Sequence, residues 1–306
     1  MKKKLLILVM MLLPMVAMAD NQSGTCGENL TWTYVEATKT LTISGSGAMT
    51  DYTSSSSVPW SKIRGAIQTI NIEEGVSSIG DFAFYYCTAL TSISIPNGIT
   101  SIGRNAFDYC RQLTFFTIPN SVISIGDYAF NGCTGLASYT IPSSVVSIGV
   151  NPFRGCVRSV VNVEDGNPMY DSRNNCNAII DTYNNKLIAG FNTTVIPNGV
   201  NTIGRESFYY CEFTTINIPN SVTTIEGGAF AQCKALTSIT IPKSVTNPEV
   251  GYAFGDCVNL SSIKVENGNP VYDSRNNCNA IIETYYNRLL KGCKSTVIPN
   301  GVEVIG

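Results

Sequence analysis

The sequence predicts a repeat solenoid, mostly β, in which short coils of the same kind are stacked along one axis. Ile-Pro pairs begin at Ile95, Ile118 and Ile141, in steps of 23 residues. A phenylalanine followed three residues later by a cysteine recurs with the same period. A fixed period of roughly 20 to 50 residues is the signature of repeat architectures, because each unit is one small structural element that its neighbours must cover.

Each coil begins with an extended segment, for example residues 90–96. Ile93 and Ile95 fall on one side of this segment, and Ser92 and Ser94 fall on the other, which is the alternation of a strand. The proline that follows removes a hydrogen-bond donor and ends the strand. The apolar residue that anchors this segment recurs ten times, at Ile72, Ile95, Ile118, Ile141, Val163, Ile196, Ile218, Ile241, Val265 and Ile298.

The Phe-Cys pairs predict a second element, a short helical or 3-10 turn. An offset of three residues places both side chains on one face of such a turn, so each coil presents a wedge to the interior. Stacking the coils, with parallel strands at a spacing of about 4.8 Å, would bury these wedges as a structural ladder. The predicted ladder consists of Phe84 with Cys87, Phe107 with Cys110, Phe130 with Cys133, Phe153 with Cys156, Phe208 with Cys211, Phe230 with Cys233, and Phe254 with Cys257.

Residues 1–19 are typical of a secretory signal peptide. Three lysines, Lys2–Lys4, precede the apolar stretch Leu5–Val16 and the small-residue site Ala17–Ala19. The stretch is shorter than the ~20 residues of a spanning helix, which disfavours an uncleaved anchor. No later segment is long and apolar enough to span a membrane, so we predict a secreted or cell-surface protein.

The remaining chain divides into two predicted units. Residues 20–62 form a β-rich N-terminal cap, in which Trp32, Tyr34, Leu41 and Ile43 alternate with threonines across a hairpin. Residues 63–306 form the solenoid. The chain stops where the next wedge should begin, so we expect a truncated C-terminus, with an anchoring or secretion domain beyond it.

Two of the intervals between anchors are 33 residues long, which indicates insertions. The eleven residues Tyr170–Ile180 recur unchanged at Tyr272–Ile282, so a block of several coils is duplicated. Within the first insertion, apolar pieces flank a turn at Asn184 and Asn185. We therefore predict two β-hairpin insertions, at about residues 166–194 and 268–296.

The unit LxxIxIPxxVxxIGxxAFxxC, carried by Leu90–Cys110 and its copies, resembles the leucine-rich repeat of BspA-like bacterial surface proteins. The resemblance covers the chain from about Ile67 onward, and the segment Cys26–Trp60 resembles the N-terminal module often found in such proteins. It implies a right-handed leucine-rich-repeat coil with a curved parallel sheet, cell-surface exposure or release, and adhesion to host or bacterial proteins. It implies no reaction.

The composition disfavours enzymes and nucleic-acid binding. The chain has no histidine, which removes Ser-His-Asp, Cys-His and HExxH machinery together. The carboxylates of the insertions occur twice, whereas a catalytic pair normally occupies one cleft. The 20 basic residues are balanced by 22 acidic ones and form no run beyond the N-terminal lysines. We predict no enzyme, no catalytic residue and no nucleic-acid partner.

Eleven cysteines in an exported chain suggest disulfides. Seven of them occupy the ladder, where parallel Cα to Cβ directions disfavour bonding, so we predict buried thiols there. A bridge between Cys278 and Cys293 stays open, although Phe191 takes the place of Cys293 in the first insertion. Without histidines or paired CxxC elements a zinc site is disfavoured. The oxygen-rich residues 164–175 do not match the EF-hand spacing, and Asx turns explain them equally well. We predict no metal and no cofactor.

The candidate ligand-binding surface is the outward face of the main sheet, which would take an extracellular protein or glycan, with Phe115 as an exposed anchor. The alternative is that serine and threonine simply suit a solvated strand, and that the array is a structural spacer or stalk. Loop aromatics, Tyr85, Tyr86, Tyr209 and Tyr210, would be a second source of contacts. The predicted face consists of Thr69, Asn71, Ser92, Ser94, Phe115, Thr117, Ser138, Thr140, Thr215, Asn217, Ser238, Thr240, Ser262 and Lys264.

Overall fold

A computed structural model describes residues 21–306, so the predicted signal peptide lies outside the described residues. The first half contains strands β1 (Gln22–Gly27), β2 (Leu30–Val35), β3 (Thr40–Gly45), β4 (Gly47–Ala48), β5 (Thr69–Ile72), β6 (Val76–Ile79), β7 (Ser92–Ser94), β8 (Ser101–Ile102), β9 (Ser124–Ile125), β10 (Ser138–Ile141), β11 (Ser147–Ile148) and β12 (Val160–Val163). The second half contains β13 (Tyr170–Asp171), β14 (Ala178–Asp181), β15 (Lys186–Gly190), β16 (Thr202–Ile203), β17 (Thr224–Ile225), β18 (Ser238–Ile241), β19 (Ser262–Val265), β20 (Tyr272–Asp273), β21 (Ala280–Glu283), β22 (Arg288–Gly292) and β23 (Val304–Ile305). Four 3-10 turns are η1 (Arg64–Ala66), η2 (Arg173–Asn175), η3 (Pro248–Tyr252) and η4 (Arg275–Asn277).

The strands stack as a solenoid with two sheet faces, and the predicted fold class is confirmed. The main sheet contains the parallel pairs β5 with β7, β10 with β12, and β18 with β19. A second sheet is built from strands of two to four residues, in which β6, β8, β9 and β11 pair in parallel. Between residues 21 and 306 all helical structure is of the 3-10 type.

The main sheet is interrupted, so the expectation of a paired strand in every coil is wrong. Five of the ten anchors lie outside strands, and at Phe115 a single bridge to Ser138 remains. Where two coils pair along the whole strand, the second coil has glutamate instead of proline after its anchor: the Glu164 N–H donates to the Ile141 carbonyl of the preceding coil at 2.9 Å. Proline has no N–H to make this bond, so pairing stops there. The unpaired anchors are Ile95, Ile118, Ile196, Ile218 and Ile298.

The Phe-Cys wedges are tight turns, and five of the seven, all except those at Phe153 and Phe254 before the insertions, hydrogen-bond to the wedge of the following coil. Phe82 and Tyr86 have φ of 59° and 60°, in the left-handed region. The N–H groups of Phe82, Phe84 and Tyr86 each donate to a carbonyl of the next coil at 2.8 Å. Inside, the phenylalanine rings are stacked, with the Phe107 and Phe130 centroids 5.3 Å apart. The wedge therefore joins neighbouring coils through both its backbone and its side chains.

The N-terminal segment continues the solenoid directly. Strands β1, β2 and β3 form an antiparallel meander, and β3 pairs in parallel with β5 of the first coil. Trp60 stacks on Phe84 with the ring centroids 5.8 Å apart. Its indole N–H donates to the Ala83 carbonyl at 2.7 Å. Trp60 thus forms the first member of the phenylalanine stack.

The two insertions cross the interior of the solenoid. In the first, β14 pairs antiparallel with β15, which then pairs in parallel with β16. All three of Ala178, Ile179 and Ile180 are buried, because alternate side chains enter different parts of the core. Ile179 packs with the N-terminal coils, whereas Ala178 and Ile180 pack with the C-terminal coils. Strand β21 divides the core in the same way.

Candidate functional site

The fourteen residues of the predicted binding face lie on the outer side of the main sheet, which we call the open sheet face. Ten of them are exposed, and Thr69, Asn71, Ser238 and Ser262 are partly buried. The residues that alternate with them, such as Tyr139, point into the core. Alternation along the strands thus places ten members of this set on one surface of the solenoid, and Phe115 joins them through its bridge to Ser138. Thr117, Thr215 and Asn217 lie outside the strands, at the same offsets from their anchors.

Sequence reasoning missed two further residues of this face, Val160 and Asn162 on β12. They stand three and one positions before the anchor Val163, as Phe115 and Thr117 stand before Ile118. Applying the same offset to every anchor would have found them. Val160 is 57% exposed, so the missed residue is apolar and accessible.

Phe115 and Val160 flank a shallow recess on the open sheet face. Phe115 is bridged to Ser138, and Ser138 pairs with Val160, so the three residues lie side by side on consecutive coils. Two strand spacings separate the apolar side chains by about 10 Å. The recess encloses about 310 Å³ and is also lined by Thr140 and Asn162. It therefore offers two apolar contacts with hydroxyl and amide groups between them.

One carboxylate borders this recess and has a structural partner. Glu164 Oε2 accepts a hydrogen bond from the Ser143 N–H at 2.8 Å. Phe115 itself is 68% exposed. An aromatic side chain left in water on a strand is available to a partner, because burying it yields roughly 1.5–3 kcal/mol.

The oxygen-rich insertions form a second, polar kind of recess, of about 400 Å³ in the first block and 450 Å³ in the second. Their polar groups are used in folding. Asn167 accepts from the Met169 and Tyr170 N–H groups and donates to two carbonyls, all at 2.9 Å. Asp171 pairs with Arg173 at 2.8 Å. Among the described residues, no three His, Cys, Asp or Glu side chains are grouped as metal ligands.

The ladder cysteines are buried, and six of the seven, all except Cys87, donate a hydrogen bond to a backbone carbonyl. Cys133 Sγ donates to the Phe107 carbonyl of the preceding coil at 3.0 Å, and Cys110 and Cys156 make the same bond. Burial raises the pKa of Cys87 and Cys156 to about 12. These thiols stay protonated at neutral pH, because the thiolate would be poorly solvated.

The remaining cysteines are also free thiols. In the second hairpin, Cys293 Sγ donates to the Asn279 carbonyl at 3.2 Å. Cys278 Sγ faces a different carbonyl, that of Ala280, at 4.0 Å. Of all eleven, Cys293 alone is partly exposed.

The loop tyrosines lie on the wedge turns, away from the open sheet face. Tyr85 packs against Tyr86, with the ring centroids 4.7 Å apart. The Arg154 guanidinium carbon lies 3.5 Å from the Tyr209 ring centroid, and Arg154 also pairs with Glu206 at 2.7 Å. Tyr86 also packs on Tyr109 of the next coil, with the ring centroids 4.8 Å apart, so these aromatic rings pack among the wedge turns and do not line the recess at Phe115.

The repeated strand, turn and buried wedge define a leucine-rich-repeat solenoid. The BspA type leucine rich repeat region matches residues 63–177 and 179–306 in six copies, and the chain belongs to this family of bacterial surface repeat proteins. Comparison with the curated proteins finds no match.

Solved structures with a similar fold come from several bacteria. A leucine-rich repeat protein of Eubacterium ventriosum is 25% identical with a TM-score of 0.64, over 80% of this chain and 72% of that one. The pneumococcal vaccine antigen PcpA is 16% identical with a TM-score of 0.50, over 81% of this chain and 82% of that one. Both are similar in fold. In the part of the chain that the structure covers, no helix has the length and apolar character to cross a membrane.

Proposed function

We propose that this protein is a non-enzymatic, exported binding protein of the cell surface, adhesin-like, that recognises extracellular proteins or glycans through the open sheet face. The observation that carries the proposal is the recess between Phe115 and Val160. Family membership supports the surface location and the absence of a reaction.

The recess favours an extended protein segment over a glycan as its ligand. Aromatic anchors near the centre of an interface contribute most of the binding energy, and polar neighbours complete it. Phe115 and Val160 supply two apolar contacts, and Ser138 and Thr140 supply hydroxyl groups between them. Because the recess is shallow, we expect the affinity of one recess for its ligand to be low. Several protein molecules, or several sites on one ligand, would raise the overall affinity.

The test is binding of the secreted chain to an array of extracellular proteins and glycans. Phe115→Ser, which introduces the residue found at the equivalent Ser92 and Ser138, should weaken binding by tenfold or more. Val160→Ser should weaken it less. Ile123→Ser, which removes an exposed apolar side chain elsewhere, is the matched control and should leave binding unchanged.

Two outcomes would change the assignment. If the protein binds but neither substitution has an effect, the open sheet face is not the binding surface. If the folded protein binds nothing on the array, the structural alternative gains support. A continuous stack of coils joined through backbone and ring contacts would make a stiff spacer or stalk.

Export has a separate test. Expression in a bacterial host that secretes proteins, followed by cell fractionation and N-terminal sequencing, should recover a chain that starts at Asp20 outside the cytoplasm. A chain that retains Met1 in the cytoplasm would contradict the proposed location.

A further inference from the structure

The tips of the two inserted hairpins have a feature that the fold does not explain. Residues 181–190 read DTYNNKLIAG, and their counterparts 283–292 read ETYYNRLLKG, so the copies differ at five of ten positions. Each tip presents an equivalent tyrosine to solvent, since Tyr183 is 86% exposed and Tyr285 is 84% exposed, and the second tip also exposes Tyr286.

Four of the five unchanged positions have a structural reason. The Thr182 hydroxyl donates to the Met169 carbonyl at 3.0 Å. Asn185 has a φ of 48°, in the left-handed region that asparagine tolerates. Leu187 is buried in the core. A Cβ on Gly190 would lie 2.2 Å from the Phe208 ring. The second copy has the same residue types at these places.

The exposed tyrosine is the fifth unchanged position. Tyr285 packs edge-on against Tyr286, with the ring centroids 4.7 Å apart, but the first tip has no second tyrosine, so this contact does not explain why both copies keep the residue. Its neighbour differs between the copies, asparagine at Asn184 and tyrosine at Tyr286. An exposed ring that stays the same while half of the surrounding positions diverge points to a contact outside the molecule.

The two tips lie at the start of β15 and β22, at the ends of one row of coils that includes the parallel strands β16 and β17. A ladder of backbone hydrogen bonds joins them: Asn201 N–H donates to Asn185, Thr223 to Asn201, and Thr246 to Thr223. The coil of Thr246 also contains η3, which packs against β22 of the second hairpin as the fourth step. Four coil spacings therefore separate the tips, which amounts to about 19 Å.

The strip between the tips is polar and carries little free charge. Asn201, Thr223 and Thr246 lie along it, partly or fully exposed. The cation of each tip is already paired, Lys186 with Glu226 at 2.7 Å and Arg288 with Glu283 at 2.8 Å. This strip lacks the apolar centre typical of protein interfaces. Two aromatic rings joined by hydroxyl and amide groups suit sugar rings, whose C–H faces stack on aromatic side chains while their hydroxyls bond to polar ones.

We infer that Tyr183 and Tyr285 are two stacking points for one extended neutral polysaccharide, on a surface separate from the open sheet face. Each tyrosine alone binds weakly. A polymer that reaches both tips gains affinity, because the second contact forms within the complex.

The test is affinity electrophoresis of the full chain in gels containing α-glucan, β-glucan, mannan or xylan. At least one polysaccharide should retard the protein. Tyr183→Ala or Tyr285→Ala should each lower the apparent association constant by about 100-fold, and the double variant should migrate as if no polysaccharide were present. A fragment of two sugar units is too short to reach both tips and should not compete.

Tyr252→Ala is the matched control, because Tyr252 is 79% exposed but lies outside the hairpins. It should bind as the parent does, and all variants should keep the parent thermal midpoint. Phe115→Ser should also keep the retardation, which separates this surface from the open sheet face. If none of the four neutral polysaccharides retards the protein, or if the double variant binds like the parent, the inference is wrong.

Discussion

The residue after each strand anchor decides whether two coils pair along their full length. Glu73, Glu164 and Glu266 follow the anchors of the coils that pair completely with the strand before them, and each donates its N–H to the carbonyl of the last core-facing residue of that strand, at Ile43, Ile141 and Ile241. Elsewhere proline stands in this position and the ladder shortens. One backbone donor therefore determines where the main sheet is continuous.

Glu164→Pro should destabilise the protein by about 1–3 kcal/mol, because it leaves the Ile141 carbonyl without its partner. Glu164→Gln keeps the N–H and an acceptor for the Ser143 N–H, so its cost should be small. Urea unfolding of the two variants measures the difference. Equal stability of the two would show that this hydrogen bond contributes little.

Gly190 is a second residue whose role depends on one contact. Gly190→Ala would place a Cβ 2.2 Å from the Phe208 ring, and relieving this overlap should cost about 1–3 kcal/mol or more. The matched control is Gly292→Ala in the second hairpin, where the nearest atom is Thr296 Oγ1 at 3.0 Å. Thermal unfolding should show a clear fall in midpoint for the first and a smaller one for the second. The reverse order would contradict the packing described.

Among the elements, the wedge buries thiol groups in the core, and this burial changes their protonation. Burial raises the pKa of the Cys110 and Cys133 thiols well above the ordinary 9.0. In the unfolded chain these thiols ionise near pH 9, whereas in the fold they stay protonated. The neutral ladder thus stabilises the fold fully below about pH 9, and this contribution is lost as the pH rises further.

The free energy of unfolding should therefore fall as the pH rises above about 9. Denaturant titrations at several pH values measure this slope. A variant with Cys110→Ala and Cys133→Ala has two fewer titrating groups, so its slope should be shallower even if its stability at pH 7 is lower. An unchanged slope would mean that other groups, such as buried tyrosines, govern the alkaline transition.

How far the sequence predicts these elements depends on whether their contacts are periodic. The strand, the turn and the Phe-Cys wedge follow from the repeat, because each residue meets its own counterpart one coil away. The division of the core by β14 does not follow from the repeat. The apolar residues 178–180 give no indication in the sequence that alternate side chains enter different coils. The place of Val160 on the open sheet face could have been predicted from its offset from Val163. That Val160 and Phe115 line the same recess could be seen only in the structure, because they lie two coils apart and not in neighbouring coils.

On the scale of the whole molecule, the inserted strand β14 couples the two halves of the solenoid. Repeat proteins gain stability from contacts between nearest neighbours, so a weak junction divides unfolding into separate steps. Here Ile179 packs with the N-terminal coils while Ala178 and Ile180 pack with the C-terminal ones. The Arg154 to Glu206 pair joins the same two halves at the surface.

Ile179→Ala should therefore weaken the coupling as well as the core, at a cost of about 2–5 kcal/mol. The two tryptophans, Trp32 and Trp60, both lie in the N-terminal half, so their fluorescence follows that half alone, whereas far-ultraviolet circular dichroism follows the entire chain. For the parent protein the two denaturation curves should coincide. For Ile179→Ala they should separate. Ile239→Ala removes an equally large buried side chain within the C-terminal half and leaves β14 intact, so its curves should shift together. If the curves for Ile179→Ala also coincide, β14 does not carry the coupling between the halves.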